Sequence, residues 1–280
     1  MLVGLLGAAA AAIAYGTATV LQAIGVQRMA AIPRGATPWS RLAAGRLYAL
    51  GLIVDVLGFF ASVVSLRTLP LFLVESAVAS SVAVTAVLAV WVLELRLRRA
   101  EITALVVIGV GLVLLAVSAE PGPAHHAGAA AGWVLLGTVA LVALSLFIGV
   151  RDPNFPRASL ILAATAGAGY GLVGIAARAL AVQHPWWRTA ADPVLWALLA
   201  QGALGTIAFG FALHRGRVTT VAAITMVVET VFPAIVGLAF LGDAVRHHLT
   251  PVAVIGFLAT LAGSIALADQ AEVAAAPAGR

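Results

Sequence analysis

Cysteine is absent from the 280-residue chain, and so is lysine. Without a thiol there is no disulfide, no thiolate metal site and no cysteine nucleophile. Charge of either sign is scarce, at 10% of residues. So little charge leaves no material for the polar surface of a soluble domain. No HExxH or GxSxG motif occurs, and no histidine lies deep in an apolar stretch to serve as a base. An intramembrane enzyme is therefore not expected, and neither is a cofactor.

What fills the chain instead is apolar. Hydrophobic residues make up 62% of it, and the mean hydropathy is +1.09. A bilayer-crossing helix needs roughly 20 mostly apolar residues. Nine stretches meet that length, at about 2–24, 44–66, 69–93, 101–119, 131–150, 158–181, 194–214, 218–241 and 250–268. The expected fold class is all-α integral membrane, one domain over 1–280, with a short polar tail at 269–280. The first span carries no basic residue before it, and Arg28, Arg34 and Arg41 follow it, so it is not expected to be a cleaved signal peptide.

The sixteen basic residues are all arginine, and they sit mostly between spans. That placement argues against a phosphate-binding face, so nucleic acid is not an expected partner; the lipid bilayer is. Counted by side, eleven arginines fall with the C-terminus and three on the opposite side. The positive-inside rule then places the N-terminus outside and the C-terminus in the cytoplasm of a cell (plasma) membrane. Trp39, Trp91, Trp133, Trp186, Trp187 and Trp196 all fall at expected interfaces.

The chain also repeats itself. Ala14-Tyr15-Gly16 resembles Gly169-Tyr170-Gly171, Leu93 to Arg98 sits like Leu241 to Arg246, and Val107-Ile108-Gly109 recurs as Val254-Ile255-Gly256, at offsets of 155, 148 and 147 residues. Two copies are expected, one over 1–119 and one over 158–268, joined by a connector helix at 131–150. One intervening span turns the second copy upside down relative to the first. Inverted repeats are the sequence mark of alternating-access secondary transporters. The competing reading is a duplicated fold without a transport role, such as a receptor or assembly protein; a homodimer is a possible assembly.

Three acids lie inside spans: Asp55 and Glu229 about eleven residues deep, Glu75 about six. Ionised groups there cost about 2.5–3.5 kcal/mol on insertion scales, so they normally face a polar cavity or a partner. Asp55 and Glu229 have no arginine at their level and read as substrate- or ion-binding groups. Glu75 has two readings, a site residue near the outer mouth or half of an ion pair with Arg178. Ser80 and Thr225 lie on the polar stripes of these spans and read either as site hydroxyls or as interhelical contacts. Tyr15 and Tyr170 are pseudo-equivalent and read as cavity walls or as core. Pro233, one turn beyond Glu229, removes a backbone donor and frees a carbonyl beside it. Gly169 to Gly174 matches GxGxxG but lacks the strand and soluble βαβ unit a dinucleotide site requires, so close helix packing is expected there. Five of six histidines (His125, His126, His184, His247, His248) fall outside the spans on one side; a metal site among them is left unassigned.

Leu69-Pro70 through Leu93-Glu94-Leu95-Arg96, followed by a span bearing Gly109 and Gly111, resembles the late part of a repeat of the drug/metabolite transporter superfamily, of EamA-like type. Thr219 through Pro233 to Leu241-Gly242-Asp243 is similar to that superfamily's mid-span Pro and closing Leu-Gly-acid, with Asp243 where Glu is usual. The layout of four spans, a connector and four spans, N-terminus outside, resembles its NIPA-type magnesium transporter branch. That branch implies Mg²⁺ or another divalent cation as cargo; the others imply amino acids, metabolites or drugs. Asp55 sits about one turn from the acid expected in that branch, so no metal ligands carry over. Walls rich in Ala, Val and Leu favour a small organic solute moved with proton or cation coupling.

Overall fold

The computed structural model describes residues 2–30, 38–93, 99–120, 122, 129–152, 154–180, 186–216 and 218–275. Glu94 to Arg98, His125, His126, His184 and Arg280 lie outside the described residues. So do most of the expected loop at 121–130 and the side chains of Trp39, Trp91, Trp186 and Trp187.

The helices are α1 (Leu2–Ala30), α2 (Pro38–Leu66), α3 (Leu71–Ala79), α4 (Ser81–Leu93), α5 (Arg99–Ser118), α6 (Ala129–Arg151), α7 (Phe155–Ala179), α8 (Pro193–Arg215), α9 (Val218–Phe240) and α10 (Thr250–Ala275). Two-residue strands β1 (Ala119–Glu120) and β2 (Ala244–Val245) pair antiparallel, with Ala119 opposite Val245. Nine segments among the described residues are long and apolar enough to cross a membrane. The chain is thus an all-α, multi-pass membrane protein. The third span differs from the expected single helix: it breaks at Ser80, where α3 ends and α4 begins. The Ser80 hydroxyl donates to the Ala77 carbonyl at 2.6 Å, and Ala83 N donates to Ser80 O at 2.8 Å, which tightens the chain into a turn.

Helix starts follow local chemistry. Asn154 accepts from Arg157 N and Asp192 from Val194 N, each followed by a proline in the first turn, where a missing N–H costs nothing. Packing then sorts residues by size. Small side chains face in, as at Ala11, Ala18, Ala163 and Ala166, all fully buried. Large apolar ones face out at helical spacing, as at Val106, Val110, Val113 and Val117 of α5. Inside a bilayer this is the expected arrangement, since lipid solvates Val and Leu as well as protein does and close backbone approach drives association.

In one half α1 packs on α2 and α4; in the other α7 packs on α8 and α9. α6 lies on α7 and α8, and α5 runs against α10. The last contact is reciprocal: a side chain at Gly111 would strike the Gly256 carbonyl, and one at Gly256 the Gly111 carbonyl. α3 crosses between the halves to pack on α9. Gly169 and Gly171, from the GxGxxG match, lie against Gly205 of α8 and Pro233 of α9, as close helix packing requires.

Candidate functional site

A cavity of about 720 Å³ lies between the halves, walled by α1, α2, α3 and the start of α4 on one side and by α7, α8 and α9 on the other. Each helix presents one stripe to it. Asp55, Phe59, Ser62 and Leu66 recur every three or four residues on α2; Gly202, Thr206 and Phe209 do so on α8.

Of the residues singled out by sequence, Asp55, Glu75, Glu229, Tyr15, Tyr170 and Thr225 all line this cavity. Ser80 does not; it sits at the break in the third span, buried, with its hydroxyl spent on Ala77. Thr225 lines the wall but donates to the Ala163 carbonyl at 3.1 Å, which ties α9 to α7. Tyr170 donates to Thr206 Oγ1 at 3.4 Å, and Ser62, which lines the same cavity as Tyr15, donates to the Phe59 carbonyl at 2.8 Å. Sequence reasoning missed Ser62 and Thr206. Their signal was present: Ser62 lies seven residues after Asp55, on the same helical face.

The three carboxylates come from three helices. Glu75 is 8% exposed, and its carboxylate has no hydrogen-bond partner among the described residues. It rests against the bare backbone of Gly174, where any Cβ would collide with its Oε1. Glu229 lies within electrostatic reach of Glu75. Pro233, within α9, cannot donate to the Glu229 carbonyl one turn back, so that oxygen is left without its helical bond. Asp55, half-buried, faces them from α2.

Of the two readings of Glu75, the ion pair with Arg178 does not form. Arg178, 2% exposed, meets Asp243 instead, Nη2 to Oδ1 at 2.5 Å. Its Nη1 donates to the carbonyls of Leu66, at 2.6 Å, and Leu69. Asp243 Oδ2 in turn accepts from Leu71 N, the first N–H of α3, at 2.6 Å. The reason lies after α9. Gly242 has φ 72°, a left-handed conformation open to glycine, and Asp243 N bonds back to Gly237 O at 3.0 Å. The chain therefore folds inward and carries Asp243 under the α2–α3 turn. Arg67 donates to the Leu180 carbonyl beside it. These bonds join the ends of α2, α3, α7 and α9 and close one end of the cavity.

Chemically, the cavity offers three acids, hydroxyl-bearing residues that include Tyr15, Ser62, Tyr170 and Thr206, and apolar panels between them. Among the described residues, no three His, Asp or Glu side chains converge as metal ligands. His247 and His248 meet edge to face, with ring centroids 3.9 Å apart, and neither lines the cavity. No family model, curated protein or solved structure matches the chain.

Proposed function

We propose that this protein is a secondary membrane transporter that moves a small organic solute by alternating access, coupled to protons or another cation. The observation that carries the reading is the cavity between the two halves, with Glu75 buried against it and without a hydrogen-bond or ion-pair partner among the described residues. An ionisable group kept inside a membrane protein is by default a candidate for a functional site. The parallel packing of α1 on α2 and α4 and of α7 on α8 and α9 supports two inverted repeats over 1–119 and 158–268 around the connector α6. So does the meeting of their last helices at Gly111 and Gly256. In this reading closure at the Arg178 end alternates with closure at the other.

The same features support membership in the drug/metabolite transporter superfamily. Of its cargo classes, an organic solute fits better than Mg²⁺, which demands six oxygens at about 2.0–2.1 Å, largely its own waters. The arginine bias supports an outside N-terminus and a cytoplasmic C-terminus.

Purified full chain in liposomes should move solute saturably or dissipate an imposed proton or cation gradient. Inertness against a broad panel of organic solutes and Mg²⁺ would favour the receptor or assembly reading. For topology, a reporter fused after Arg280 should read cytoplasmic and one in the 121–130 loop external; a cytoplasmic 121–130 loop breaks the orientation.

A further inference from the structure

Charge on the cavity wall is of one sign. Asp55, Glu75 and Glu229 line it, and no Arg or His does among the described residues. The nearest buried base, Arg178, is engaged by Asp243 and the Leu66 and Leu69 carbonyls. An anionic ligand would thus meet three carboxylates and no counter-charge, whereas a cationic one would supply the partner Glu75 lacks.

Size and surface separate a bare metal ion from an organic cation. Six waters around Mg²⁺ occupy about 180 Å³ at about 30 Å³ each. The cavity, at about 720 Å³, is within the usual range for a small-molecule pocket. Its aromatic members, Tyr15, Phe59, Tyr170 and Phe209, offer ring faces that attract ammonium groups. At the rim, Val56 of α2 and Leu199 of α8 line the cavity and yet are 53% and 52% exposed. The mouth is therefore framed by apolar side chains that face outward from the helix bundle.

From these observations we infer that the cavity binds an organic cation, an amine or quaternary ammonium on an apolar body, with Glu75 and Glu229 as its counter-charge. The inference rests on the transporter reading for its context but not for its test, because binding is measured without flux. Full chain in detergent micelles is titrated calorimetrically with benzyltrimethylammonium, benzenesulfonate and Mg²⁺. The first two share an aromatic ring and differ in sign. Benzyltrimethylammonium should bind saturably, benzenesulfonate should not, and Mg²⁺ should fail to displace the ammonium. Glu75→Gln should weaken ammonium binding at least about tenfold. Glu229→Gln, in a separate preparation that melts like wild type, guards against a folding artefact in the first variant and should weaken it too. Equal binding of the sulfonate, displacement by Mg²⁺, no ammonium binding by folded protein, or full binding by both variants would each overturn the inference. Ammonium binding without any flux would sink the transporter reading and leave this one standing. Flux of anionic solutes alone would do the reverse.

Discussion

Two sets of buried charge sit within this bundle, and they are built oppositely. Arg178 and Asp243 are paired within the protein: the guanidinium meets a carboxylate and two carbonyls through Nη1 and Nη2, while its buried Nε has no hydrogen bond among the described residues, and the carboxylate also accepts from the first N–H of α3. Glu75 is equally buried but faces a cavity and has no such partner among the described residues. Burial alone therefore does not mark a functional charge. What distinguishes the two is whether the protein itself completes the coordination. A charge paired within the protein holds helices in place; one that faces a cavity has room beside it.

The largest test of this contrast is Arg178→Ala. It removes the guanidinium from Asp243 and two carbonyls, and removing one member of a buried ion pair costs about 3–5 kcal/mol. Detergent-solubilised protein should melt markedly lower, and Arg178→Lys should not restore it, since an ammonium cannot match a fork of donors. A wild-type melting curve for Arg178→Ala would erase the distinction. Next is Glu75→Gln, for which the opposite pattern is expected. Melting should shift by no more than about 1 kcal/mol, because no protein contact is lost. Transport or ligand binding should fall about tenfold or more, about 1.4 kcal/mol. A smaller effect is expected from Gly174→Ala, whose Cβ would strike the Glu75 carboxylate. Overpacking of this kind costs about 1–3 kcal/mol, and a several-fold loss of transport should accompany it. Gly137→Ala is the control: Gly137 does not line the cavity and a Cβ there meets nothing within 4 Å, so melting and flux should stay at wild-type values. The smallest effect belongs to Tyr170→Phe, which removes one 3.4 Å hydrogen bond to Thr206. It should change stability by about 0.5–1.5 kcal/mol, read by melting, and alter apparent substrate affinity more than maximal rate.

Much of this was legible from residue order. The nine apolar segments stand out because a bilayer imposes one length and one composition on every helix that crosses it. The intramembrane acids stand out because nothing else in such a helix is charged, and Asp55, Glu75 and Glu229 do meet in one cavity. The true partner of Arg178 was hidden for a specific reason. Matching charges by depth along straight spans points it at Glu75, but the true partner lies past the end of α9, in a turn that Gly242 folds back into the bundle. Depth arithmetic cannot see a chain reversal. The break at Ser80 was equally hidden, since Val78 to Ala83 keeps the apolar content of an unbroken helix. Ser62 and Thr206 were overlooked because a lone hydroxyl in a span usually bonds its own backbone.

Because Ser80 divides the third span, its two pieces answer to different neighbours. α3 packs chiefly on α9 and is tethered to it through Leu71 and Asp243, while α4 packs chiefly on α1, where Thr85 also reaches the Gly16 carbonyl at 3.3 Å. An unbroken helix would pass any tilt along its whole length. If the turn at Ser80 yields, α3 would move with α9 while α4 stays with α1. Glu75 rides on the α3 lever, one turn from the pivot, where a modest rotation would carry its carboxylate toward or away from the cavity centre. Stiffening that pivot with Ser80→Ala, which keeps the volume close and removes the hydroxyl that holds the turn, would test whether the joint is used as a bearing.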